Sequence, residues 1–80
     1  MRFPTVNLNG TSKNALMEAN CDARLTLEDA RQRLCDAGPH GRDYPNGGWA
    51  DAQKEHLARL EKIDLILVEL NALIEHIGGV

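Results

Sequence analysis

Three clusters in this 80-residue sequence carry side chains able to do chemistry. The first is the run Gly38-Pro39-His40-Gly41-Arg42-Asp43-Tyr44-Pro45-Asn46-Gly47-Gly48, which leads into Trp49. An arginine fork grips a phosphate or carboxylate, and tyrosine or tryptophan rings stack on flat bases. Gly47-Gly48 lets backbone approach a ligand closely where a following helix presents free N–H groups. The second cluster is His56 and Arg59, one turn apart and just beyond the first. The third is Asn7, Asn9, Gly10, Thr11, Ser12 and Lys13, where glycine, two hydroxyls and a lysine at a helix start suit an anion. The candidate ligand-binding residues are therefore Arg42, Asp43, Tyr44, His56, Arg59, Thr11, Ser12 and Lys13. Arg42 and Arg59 would hold phosphates, Tyr44 would stack, and Thr11 and Ser12 would supply hydroxyls. Each cluster also has a purely structural reading: an Arg42–Asp43 ion pair, a Tyr44-Pro45 plug, a Trp49 staple, a core histidine at 56, and an ordinary helix cap followed by a solvated lysine.

Catalysis has no comparable support. No nucleophile–base pair is visible, the acids are dispersed, and no histidine adjoins Cys21 or Cys35. Neither C-x-x-C nor H-E-x-x-H occurs, so no metal site is expected. The Gly10–Lys13 segment is not a P-loop, which needs G-x-x-x-x-G-K-[ST] after a strand. The chain is expected to be non-enzymatic, with no catalytic residues and no cofactor. Cys21 and Cys35 are 14 residues apart; on one helix their Cα atoms lie about 21 Å apart, too far for a disulfide. They read as small core hydrophobes.

Composition narrows the partners. Nine basic against twelve acidic residues, net charge -3, leave no basic footprint for duplex nucleic acid. No apolar run approaches the 18 residues of a membrane-spanning helix. The start Met1-Arg2-Phe3-Pro4-Thr5 has no apolar h-region, so no signal peptide is expected, and the expected compartment is the cytoplasm. Aromatic residues are 4%, so the core must be aliphatic.

The elements that position the clusters follow from periodicity. Residues 1–11 read as an extended arm: Pro4 blocks a helix, Thr5 to Asn9 alternates, and Gly10 breaks the run. Thr11 or Ser12 can cap the helix that follows. Over residues 12–37, Leu16, Asn20, Ala23, Leu27, Ala30, Leu34 and Ala37 step by four and three, a heptad seam with one polar member. Three alanines in that seam would allow close helix approach. Met17, Cys21 and Cys35 form a weaker stripe beside it. Residues 38–48, with four glycines and two prolines, read as a loop without regular structure. At eleven residues it is long for a helix–helix connection, and long polar loops are more often functional. A second helix is expected over 49–77, with Asp51 suiting its positive end. Its seam is Gln53, His56, Leu60, Ile63, Leu67, Leu70, Ile74 and Ile77, and its apolar face widens beyond residue 63 through Leu65, Ile66, Val68 and Leu73.

The expected fold is all-α: a single hairpin domain over residues 12–80, two long antiparallel helices with an extended N-terminal arm. Two helices bury one seam, and the widened face of the second then has no cover within one chain. Monomers avoid large wet apolar patches. A homo-oligomeric helical bundle is therefore expected, most simply four helices from two hairpins. The alternative is a monomer whose arm folds back over that face. Arm and loop lie at opposite ends of the hairpin, about 40 Å apart. They can share one site only if a second chain packs antiparallel.

Asn9-Gly10-Thr11-Ser12, then His40-Gly41-Arg42-Asp43-Tyr44-Pro45, then Glu55-His56 with Arg59 resemble the blocks N-G-T-S, P-N-G-R-D-Y and E-H-x-x-R of a family of short, mostly uncharacterised proteins of bacteriophages, prophages and proteobacteria. The resemblance spans most of the chain. His40 stands where that pattern has asparagine, and a single Tyr44 where a doublet is common. The resemblance implies that the polar blocks matter together. Small helical phage oligomers often resemble immune-evasion factors, including sponges for nucleotide signals of bacterial defence. On that analogy the chain is expected to sequester an anionic nucleotide-like small molecule in the host cytosol. The alternative is a helical interaction module, an adaptor or inhibitor docking on a host or phage protein.

Overall fold

A computed structural model describes residues 1–80. Two helices form an antiparallel hairpin: α1 spans Lys13–Asp36 and α2 spans Trp49–Gly78. No strand is present. The molecule is a rod of 61 × 20 × 17 Å. Neither helix is long and apolar enough to cross a membrane.

Helix α1 starts where Ser12, in extended conformation, accepts a hydrogen bond from the Ala15 N–H at 3.1 Å. That satisfies one of the donors a helix start leaves free. Its last carbonyls are closed by the N–H groups of Ala37 and Gly38. The loop is more ordered than its composition suggests. Gly41–Asp43 form a single 3-10 turn, with Asp43 N–H bonded to His40 O and Tyr44 N–H to Gly41 O, both at 3.0 Å. The expectation of no regular structure there is corrected by these local bonds, which a three-residue turn makes without any side-chain periodicity. Gly47 and Gly48, at φ 95° and 94°, then turn the chain into α2 through a left-handed conformation that any side chain would strain.

The α2 seam is as expected: His56, Leu60 and Ile77 are buried, and Gln53, Ile63, Leu67, Leu70 and Ile74 are half-buried. Helix α1 is rotated from its expected seam. Leu16, Asn20, Leu27 and Leu34 face α2, but Ala23, Ala30 and Ala37 are exposed. Met17, Cys21, Arg24, Arg31 and Cys35 take the inner positions in their place. The physical reason lies in the two arginines. Their aliphatic stems cover the seam as long apolar rods while their heads reach partners on α2. Arg31 grips Asp64 with both arms of its fork, the second at 3.1 Å, and Arg24 Nη1 donates to Asn71 Oδ1 at 3.4 Å. Asn20 satisfies its amide within its own helix, donating to Leu16 O at 2.8 Å.

The arm docks on the far end of α2. The Phe3 ring stacks on His76 at 4.6 Å, and His76 Nε2 lies 3.0 Å from Pro4 O. Only the tautomer with a proton on Nε2 makes that bond. Lys13 Nζ donates to Val80 O, tying the start of α1 to the end of the chain. The arm thus covers the end of α2 and leaves Leu65, Ile66 and Val68 exposed.

Candidate functional site

The loop end presents its polar residues to solvent. Arg42 and Asp43 occupy the 3-10 turn and Tyr44 closes it; all three are exposed. Arg42 and Asp43 do not pair with each other, and neither side chain makes a hydrogen bond within the chain. Trp49 Nε1 donates to Pro39 O at 3.3 Å, which pins the first residue of α2 to the start of the loop. Gly48 is the N-cap of α2 and supplies no side-chain cap, so the first N–H groups of a 30-residue helix point out free of side-chain partners. Such an end carries partial positive charge.

His56 and Arg59 separate from this cluster. His56 is buried beneath the loop, and a Cβ placed on Gly38 would sit 3.2 Å from its Nε2. Gly38 is therefore the residue that lets the loop lie flat over the imidazole. His56 supports the loop from below and does not reach the solvent side with Arg42. Arg59 is exposed one turn farther along α2 and lies 3.8 Å from Glu55.

Thr11, Ser12 and Lys13 stand at the opposite end of the rod, as the hairpin requires. Ser12 and Lys13 line a cleft of about 450 Å³ with Val6, Asn7, Leu8 and Gly10. Within one chain Ser12 is used as a cap and Lys13 as a tie to Val80. Asn7 organises the arm, accepting from Asn9 N–H at 3.0 Å and donating to Thr5 O at 3.1 Å.

Two features lay outside the candidates drawn from the sequence. The Arg31–Asp64 pair is the strongest electrostatic contact between the helices. The hydrogen bond to Arg31 holds the Asp64 carboxyl below its usual range, and the same bond raises the Arg31 guanidinium. Arg31 also lies 3.6 Å from Cys35 Sγ. The second feature is an apolar groove of about 550 Å³ along the middle of the hairpin, lined by Asp22, Ala23, Thr26, Leu27, Ala30, Ile66 and Leu70. Its signal in the sequence was the alanine heptad at 23, 30 and 37, which reads equally well as an inner or an outer stripe. No group of three or more His, Cys, Asp or Glu side chains gathers anywhere in the chain.

No protein-family model, curated protein or solved structure matches this chain.

Proposed function

We propose that this chain is a small non-enzymatic binding protein that captures an anionic, nucleotide-like molecule at its loop end. The observation that carries the reading is the state of the 38–48 loop: Arg42 is exposed and unpaired in an ordered turn, beside exposed Tyr44 and Trp49. A fork for phosphate, rings for a base and an uncapped helix start are the parts such recognition needs. The buried His56 supports the loop from below, Arg59 stands apart beside Glu55, and Thr11, Ser12 and Lys13 would join only from a second chain. On the likeness to short phage proteins, the captured molecule belongs to nucleotide signalling in bacterial antiviral defence, and capture takes place in the cytosol. A thermal-shift series against cyclic di- and trinucleotides and ADP-ribose derivatives tests this. A ligand at 100 times its Kd adds about 2.7 kcal/mol of stability. Arg42→Ala should abolish that gain, and flat curves with every compound reject the reading.

The apolar groove favours a second reading, a helical interaction module. That reading expects no small-molecule shift. It also expects partner binding that survives Arg42→Ala but fails when the exposed helix faces are altered.

A further inference from the structure

We infer that the groove along the middle of the hairpin is the seat of a second copy of this chain, packed antiparallel about a twofold axis. The exposed surface is the first argument. A compact folded chain of 8.8 kDa exposes about 4,800 Å², whereas this rod exposes 6050 Å². The excess, about 1,250 Å², exceeds the roughly 800 Å² per partner that a standard interface buries. Lateral pairing of rods along their apolar groove is the arrangement that removes it. The shape of the groove agrees: Ala23, Thr26 and Ala30 form a low wall on α1, and Ile66 and Leu70 a higher apolar wall on α2. Small residues on α1 let a facing helix approach closely.

Charge selects the orientation. Asp22 and Arg33 are eleven residues, about three turns, apart on one stripe of α1 and bracket the alanines; Arg33 donates from Nε to Asp29 at 2.9 Å, an exposed pair that leaves its terminal nitrogens for the partner's Asp22. In an antiparallel pair α1 lies over α1, so Asp22 meets the partner's Arg33, a contact that occurs twice. In a parallel pair α1 would lie over α2. The level set by Arg31 and Asp64 would then put Arg33 against the partner's Lys62, a like-charge contact. The antiparallel register also brings the loop end of one chain beside the partner's Lys13. The two anion-binding clusters would then share a site at each end of the dimer, a consequence that rests on the ligand reading above.

Sedimentation equilibrium of the full chain tests the pairing without any ligand, so its outcome is independent of that reading. The expected mass is twice 8.8 kDa at 100 µM or below. Ala30→Glu should raise the dimer Kd at least tenfold while helicity by circular dichroism stays unchanged, because Ala30 does not face α2. Asp22→Arg and Arg33→Asp should each weaken the dimer, and the double variant should restore it to within about threefold of the parent. A monomer at 200 µM, a mass other than two chains, a dimer indifferent to Ala30→Glu, or charge reversals that add without rescue would overturn the proposal.

Discussion

Ile77 is the only side chain removed from solvent altogether, at 0% exposure, although α2 is rich in leucine, isoleucine and valine. It lies where the arm, the start of α1 and the end of α2 converge, with Met17 packed against the neighbouring Gly78 position. Replacing it with alanine removes three carbon groups from a filled site. At about 0.8 kcal/mol for each, the transfer loss is about 2.4 kcal/mol. The space left behind adds to it, placing the total near 3 kcal/mol, within the usual range of about 2–5 for such truncations. A domain of this size holds on the order of 4–12 kcal/mol in total, so the loss is a large share. At about 4–8 °C for each kcal/mol, the melting temperature should fall by about 12–24 °C. Leu65, at 64% exposure, is the control. Leu65→Ala leaves the chain's own packing intact and should cost at most about 0.5 kcal/mol. Urea unfolding followed at 222 nm, at low micromolar concentration, gives both numbers with the slope as a check on two-state behaviour. Equal losses for the two variants, or a loss below 1 kcal/mol for Ile77→Ala, would refute the assignment of the single-chain core.

Other outcomes follow from the same contacts. The folded Asp64 carboxyl titrates below its unfolded value, so the Arg31 contact contributes stability above the unfolded pKa and loses it as pH falls through the folded one. The stability gap between the parent and Asp64→Asn should therefore be largest near neutral pH and close in strong acid, as measured by urea midpoints against pH. Ser12→Ala removes the α1 cap and should cost about 1 kcal/mol in the same unfolding assay. His76→Ala removes both the Phe3 stack and the Pro4 hydrogen bond. It should lower the NMR order parameters of residues 2–6 while those of α2 near Leu60 stay unchanged. Arg42→Ala should leave the melting temperature within about 1 °C, since the side chain has no partner in the chain, while removing any stabilisation by an anionic nucleotide.

Much of this molecule is written in local pattern. Ser12 as cap, Gly38-Pro39 as stop and the seam from Gln53 to Ile77 place both helices to within a residue or two. The reason is that capping and heptad spacing are short-range physics. The rotation of α1 is different in kind. Leu16, Asn20, Leu27 and Leu34 belong to two adjacent stripes, one completed by alanines and one by Arg24, Arg31 and the cysteines. Periodicity weighs alanine as apolar and arginine as polar, and so selects the wrong stripe. Only the facing helix reveals that Asp64 and Asn71 stand where the arginine heads must land. The candidate site divides along the same line. The residue types at 38–48 announce their chemistry in the sequence, and the hairpin sends Thr11–Lys13 to the far end as connectivity demands. That His56 would lie beneath Gly38, that Arg42 would stand free of Asp43, and that an alanine wall would open outward were decided by tertiary packing. Each depends on which surfaces two helices bring together, and spacing along one helix holds no information about the rotation of the other.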